Sequence, residues 1–456
     1  MTLSCSQLTF PSCHAASDNE VAITIKAAQD VFESGIWSRA DRHYRADTLE
    51  NIAAHLSRAL PALIALEAQV PSLTKWFKYY AALIRTEERP VLPTTGKLHN
   101  WIDRKPLGVV IQITPFNHPL LIAVKKIAPA LAAGNSVILK PSELTPLTSL
   151  MLGKIMKEAG LPDGVLSVLP GYGATTGKAL VSHPLVKKVD VTGGTPAGRA
   201  IGAIAGANLA KYTAELGGKA PVIMTENANL PLAVNGVAFG AFMASGQTCI
   251  AATRIVVHES ISAAFVSKLK AKAESIEQRI GSPTNRESVE VVSGARRLTG
   301  SSPLDGFDLS RGHFYPPTLL TDGPSTKIVS TRIWREEAFG PVIVIVSYTT
   351  ESEALHLAND SEFGLGAAVW TNDLSQAHRL SDGIEAGICW VNSHHRNDPS
   401  SPWGGVGRSG VGSENGVDAY HAYTTTNSTI INYASNEEAL GSDDWFREGG
   451  GRVRYG

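Results

Sequence analysis

From Gly108 to Ala210 the chain repeats one pattern: a short β-branched run, then an Ala-rich run with helical spacing. GVVIQIT leads to LLIAVKKIAPALAAG, NSVILKP to LTSLMLGKIMKEAG, GVLSVLP to ATTGKALVSHP, and VKKVDVTGG to PAGRAIGAIAGANLA. Strands alternating with helices of this length predict a parallel sheet, because a parallel neighbour requires a crossover that returns the chain to the same sheet end. The expected fold class is therefore α/β, with helices on both faces. A second series, APVIM, TRIVVH, PVIVIVSY, GAAVWT and GICWVN, begins near Ala220 and predicts a second α/β unit. Residues 20–67 carry Ala, Leu and Arg at helical spacing with few breakers before Pro61. No tandem repeat is evident.

Composition narrows the function classes. A chain of 456 residues with a formal net charge of −1 has no basic field for nucleic acid and no acidic tail, which points to small molecules or protein partners. No apolar run approaches a membrane span, and MTLSCSQLTFPSCH lacks the charged and apolar regions of a secretory signal. The four cysteines, Cys5, Cys13, Cys249 and Cys389, fit neither a disulfide framework nor a metal site. Reduced thiols in a cytoplasmic protein are the expectation.

Two loops have the makings of a phosphate site. VDVTGGTPAGRAIG joins a strand to a helix through Gly193 and Gly194, with Thr195 as the expected N-cap and Pro196 as the first helical residue. Exposed backbone N–H groups and the helix dipole there favour a pyrophosphate. GYGATTG contains Gly171, Gly173 and Gly177, one residue too long for the dinucleotide fingerprint. Two tight turns without a ligand are the alternative. In VILKPSELTP, Lys140 and Glu143 follow a strand, where they could meet an adenosine ribose. A carboxylate there suits a free 2′-hydroxyl and so favours NAD over NADP. A solvated Lys and a capping Glu explain the same pair without a ligand.

A third constellation concerns Cys249 in ASGQTCIAATR. A nucleophilic thiol needs a base or field, donors for an oxyanion, and access for substrate. Glu215 in YTAELGGKAPV stands beside a Gly pair and could activate water. Asn117 in ITPFNHPL offers a neutral amide donor after a strand. Each has a plainer structural explanation when taken singly.

Taken together, ITPFNHPL, VILKPSELTP, VTGGTPAG, ELGGKAP, GQTC, EEAFGPV and PWGGVGRSGVG, in this order, resemble the aldehyde dehydrogenase superfamily from about Val21 to about Asn432. The resemblance implies a Rossmann-type NAD-binding domain (1–87 and 107–217), an α/β catalytic domain (218–408) and a small β oligomerisation element. That element comprises 88–106 and 418–433, both of alternating pattern, and it implies a homodimer or homotetramer; covering its own subunit is the alternative. Residues 434–456 would be a tail.

By position, Cys249 matches the family nucleophile, Glu215 its general base and Asn117 its oxyanion donor, with Lys126 and Glu414 as a pair that moves protons from the hydrolytic water. NAD, or NADP, would be held at Thr114, Phe116, Lys140, Ser142, Glu143, Gly173, Gly177, Gly193, Gly194 and Gly217, with Glu337 and Phe339 at the nicotinamide end. His118, Ile122, Lys125, Met243, Thr248 and Trp403 would line the aldehyde tunnel.

Several positions depart from the family pattern: Gly194 stands for a common Ser, Phe116 for Trp and Ser413 for Arg. The stretches after Glu67 and between Gly281 and Pro317 are shorter than usual. Trp403 and its small neighbours imply an apolar or aromatic aldehyde. Lys125 stands where an aromatic residue is common; it is expected either to attract a substrate carboxylate or phenolate, or to be solvated at the mouth. Two further readings compete: an acylating relative that passes its thioester to coenzyme A, against which Glu215 argues, and a retired scaffold.

Overall fold

The computed structural model describes residues 13–64, 67, 70–277, 296–297 and 315–442. Cys5, most of the shortened 281–317 stretch and the last part of the expected tail lie outside them. Two mixed sheets organise the chain. The first has the strand order Gly410–Val411, Lys211–Glu215, Val186–Thr192, Val109–Ile113, Ser136–Lys140, Leu166–Val168, parallel except for the antiparallel edge at Gly410–Val411. The second runs Arg296–Arg297, Thr318–Thr321, Val342–Tyr348, Ala252–His258, Ala220–Met224, Gly366–Trp370, Ile388–Val391, again parallel except at its first strand.

Alternation along the strands feeds two cores per sheet, as the period of two requires. In the first sheet Val110, Val137 and Leu139 join the helices Arg42–Ile64, Thr74–Thr86 and Pro119–Ala132 in one core. Val109, Ile111 and Ile138 face Asp18–Ser34 and Thr195–Ala207 in the other. The second sheet repeats this: Val222, Met224 and Ile255 pack on Leu230–Phe242, while Ile223 and Val256 pack on Glu351–Asn359.

Local chemistry sets the element ends. Asp18–Ser34 opens with a Ser17–Glu20 capping box and closes at Gly35, whose φ of 82° suits glycine. Buried Asn135 ties three elements together: Oδ1 accepts from the N–H groups of Leu107 (2.7 Å) and Gly108 (3.1 Å), and Nδ2 donates to the carbonyls of Ala130 and Tyr423.

Three expectations shift. The helix after Gly193 starts at Thr195 with Gly194 as N-cap, so Thr195 does not cap it; its hydroxyl donates to the Arg408 carbonyl instead. Residues Gly416–Ala422 are helical, and the last long strand begins only at Thr424. That strand, Thr424–Asn432, pairs antiparallel along its whole length with Leu98–Pro106, which also carries Val91–Leu92, giving a separate three-stranded sheet. Part of the expected tail, Asn436–Ser442, is helical.

Candidate active site

The first sheet reverses its strand order between Val109–Ile113 and Val186–Thr192, and ligands of open α/β sheets bind at the carboxyl ends there. Thr114, Phe116, Asn117 and His118 leave the first of these strands; Gly193 and Gly194 leave the second. A Cβ at Gly193 would meet nothing within 4 Å, and one at Gly194 only Pro196 Cδ at 3.8 Å. The 13-residue helix that follows has no side-chain cap, so this backbone edge is open to an anion. Gly173–Gly177 forms a π-helical turn, and a Cβ at Gly173 would also meet open space. Lys140 is buried at its strand end, with Nζ donating to the Pro141 carbonyl and 3.6 Å from the exposed Glu143. Ser142 accepts from the Leu144 N–H in the same turn. This edge fits a dinucleotide: open glycine backbone for the phosphates, a Lys–Glu pair for a ribose.

Next to it lies a cavity of about 130 Å³ whose lining includes Asn117, His118, Ile122, Lys125, Glu215, Met243, Thr248, Cys249, Trp403 and Glu414. Ile122, Lys125 and Lys126 share one face of Pro119–Ala132 by their i, i+3 and i+4 spacing. The helix start is held by Glu67, whose carboxylate accepts from the Leu120 N–H. Glu215 ends its strand inside the sheet.

Glycines bring the remaining segments together. A Cβ at Gly217 would fall 2.5 Å from Glu337 Oε2, and one at Gly218 only 2.2 Å from the Cys249 carbonyl. A Cβ at Gly246 (φ 71°) would strike the Gly340 backbone at 2.5 Å. The Gly pair after Glu215, the cysteine loop and the Glu337–Gly340 segment thus meet only because these positions lack side chains. Phe116 and Phe339 meet edge to face at 5.8 Å. Among the described residues eight non-glycines have positive φ, and six of them (His118, Ala244, Ser245, Phe339, His395, Asn415) belong to or border this region. Such strain collects where surrounding structure fixes a working geometry.

The electrostatics are those of a dry site. Burial pushes the Cys249 thiol up to about 12, Glu337 and Glu215 push the same way, and Lys125 opposes them. Burial, reinforced by Glu414, raises Glu215 well above the carboxylate range, and neither of its oxygens has a hydrogen-bond partner. Glu337 is raised to about 7 by burial, against the Gly218 N–H that donates to it at 2.8 Å. Glu414 behaves oppositely: burial resists its charge, but two ammonium groups hold it down at about 2. Lys125 meets its Oε2 at 2.7 Å and Lys126 its Oε1 at 2.5 Å. Thr248 and His118 share a 3.1 Å hydrogen bond.

Lys125 corrects the sequence reading. It is neither solvated nor free to attract an anion: it is 4% exposed, paired with Glu414, and its ammonium lies 4.2 Å from the Trp403 ring centroid.

Other residues had not been singled out. Asp190 accepts from Lys126 (2.5 Å) and from the Tyr423 hydroxyl (2.5 Å), making a buried chain from Glu414 to Tyr423. Its signal was a carboxylate inside the otherwise apolar end of VKKVDV. His395 lines the cavity beside Phe239, and its Nδ1 bonds that of His394 at 2.7 Å. The His-His doublet marked that position, without its partners.

The match to known proteins is broad. A model described as the aldehyde dehydrogenase family covers residues 5–429. A peroxisomal aminoaldehyde dehydrogenase 1 of Pisum sativum is 37% identical over 93% of this chain and 90% of its own length. The betaine aldehyde dehydrogenase 1 of Oryza sativa subsp. japonica is likewise 37% identical, over 94% and 91%. Among solved structures, betaine aldehyde dehydrogenase from Staphylococcus aureus in complex with NAD+ superposes with a TM-score of 0.86 at 33% identity, covering 92% of this chain and 89% of that one. The chain therefore belongs to the aldehyde dehydrogenase family, whose reaction is the oxidation of an aldehyde with a nicotinamide dinucleotide.

Proposed function

We propose that the protein oxidises an apolar or aromatic aldehyde to its carboxylic acid through a covalent adduct on Cys249. The observation that carries this reading is the convergence of Cys249, Glu215 and Asn117 on one small cavity beside an open glycine edge. Cys249 Sγ, on losing its proton, bonds to the aldehyde carbon. The Asn117 side-chain amide and the Cys249 backbone N–H then stabilise the resulting alkoxide. NAD bound at the glycine edge would supply the hydride acceptor. Glu215, whose two oxygens are unengaged, takes a proton from water. The hydroxide adds to the Cys249 thioester, the C–S bond breaks, and the acid leaves.

Lys126 and Glu414 hold charge next to Glu215 and would help move its proton away, Glu414 as the acceptor and the Lys126 ammonium steadying that carboxylate. Glu143 favours NAD over NADP in this reading. A homo-oligomer in the cytoplasm belongs to the same proposal, although some relatives carry peroxisomal or chloroplastic names.

The test is NADH absorbance with NAD and NADP across aliphatic, aromatic and semialdehyde substrates. Neutral aldehydes with NAD are expected to give the highest kcat/KM, and Asn117→Ala to lower it by about 100- to 1,000-fold. An acyl-CoA product on adding coenzyme A would support the acylating reading. A folded protein that binds NAD yet makes no NADH from any aldehyde would support the retired one.

A further inference from the structure

We infer that Lys125 is a built-in cation that bars positively charged aldehydes from the cavity and makes it selective for neutral ones. The inference rests on reading this cavity as the aldehyde site. Two kinds of group recognise an organic cation in a dry pocket: an aromatic face and a carboxylate. The lining offers both, and the chain's own ammonium already occupies both. Lys125 Nζ lies 4.2 Å from the Trp403 centroid and 2.7 Å from Glu414 Oε2.

The arrangement is fixed. Trp403 and Glu414 exchange backbone hydrogen bonds of 2.8 and 2.6 Å, so the ring and the carboxylate move as one piece. The other Glu414 oxygen is held by Lys126, and Lys126 in turn by Asp190. Glu215, the other carboxyl of the lining, stands buried, and burial together with Glu414 raises it well above the carboxylate range. A substrate cation entering here would lose its hydration and find the Trp403 ring and the Glu414 carboxylate already taken by Lys125. Anionic aldehydes gain nothing either, because the Lys125 charge is committed to Glu414. Ile122, Leu121, Phe239 and Met243 leave apolar surface for a neutral chain or ring.

The test compares isosteres that differ only in charge: tert-butylacetaldehyde and betaine aldehyde. The parent enzyme is expected to favour the neutral one by about 100-fold or more in kcat/KM, the scale of a buried charge left without a partner. Lys125→Met should reduce that preference about tenfold or more, whereas Lys125→Arg, which keeps the charge, should retain it. Lys125→Gln serves if the methionine variant does not fold. Comparable rates on both aldehydes in the parent, or an unchanged ratio in Lys125→Met, overturn the inference.

A second arm reads binding without turnover: protection of Cys249 from iodoacetamide by tert-butylethanol and by choline. Protection by the alcohol alone in the parent, and by choline as well in Lys125→Met, supports the inference. Protection of the parent by choline overturns it. Loss of turnover with every aldehyde would count against the functional reading, and this arm would still decide the role of Lys125.

Discussion

At the scale of single residues, the site is defined by charges held where water cannot screen them. Cys249 shows the converse, a group that the same surroundings keep from ionising. Its thiol is raised to about 12 by burial, with Glu337 and Glu215 next in influence. A raised thiol pKa means little thiolate at neutral pH and more as pH climbs. Alkylation of Cys249 by iodoacetamide in the cofactor-free protein should therefore rise with hydroxide concentration throughout the alkaline range, and Glu337→Gln should accelerate it. A rate that plateaus near neutrality contradicts this. The sequence exposed Cys249, Glu215 and Asn117 because each sits in a run whose residue types match a known chemistry. Asp190 and the true situation of Lys125 stayed hidden, since both are decided by partners far away in the chain. Nothing in AVKKIAPA says that one lysine reaches Trp403 and Glu414.

At the scale of elements, segments approach one another through positions without side chains. Of Gly217, Gly218 and Gly246, Gly218 is the tightest, with a Cβ there only 2.2 Å from the Cys249 carbonyl. Gly218→Ala should push the cysteine loop out of register and cost about 100-fold in kcat, since displacements near 1 Å have that effect. The stability loss should stay within about 3 kcal/mol, the usual range for overpacking, as read from denaturant midpoints. A variant with parental kcat would show that the loop tolerates the shift. The central strands of both sheets and the helices of the first were legible because β-branched and Ala-rich runs alternate so regularly, whereas the short strands Thr318–Thr321 and Gly410–Val411 were not. Element ends were less so. Thr195 looked like a cap, yet its hydroxyl is taken by the Arg408 carbonyl from the returning C-terminal segment. The helix Gly416–Ala422 was hidden by the β-rich run that follows it, while its own Ala419 and Tyr420 are drawn into the first core.

For the whole molecule, the separate three-stranded sheet matters most. Thr424–Asn432 is an edge strand nine residues long, with Ile430 and Ile431 exposed (58% and 48%) and Tyr433 following them. Long apolar edges invite pairing with another chain. Light scattering on the parent should give a dimer or tetramer mass, and the double variant Ile430→Lys, Ile431→Lys should shift it toward monomer. A monomeric parent would mean that the sheet serves its own subunit.

The account depends most on acyl transfer through Cys249, and one measurement reaches it directly. Glu215→Gln, mixed with NAD and a neutral aldehyde and read by intact mass, should gain one acyl group on Cys249 while releasing about one NADH per chain. The adduct should be absent when Cys249 is also changed to Ala. An unmodified protein that nevertheless turns over, or an acyl group located on another residue, would contradict the account.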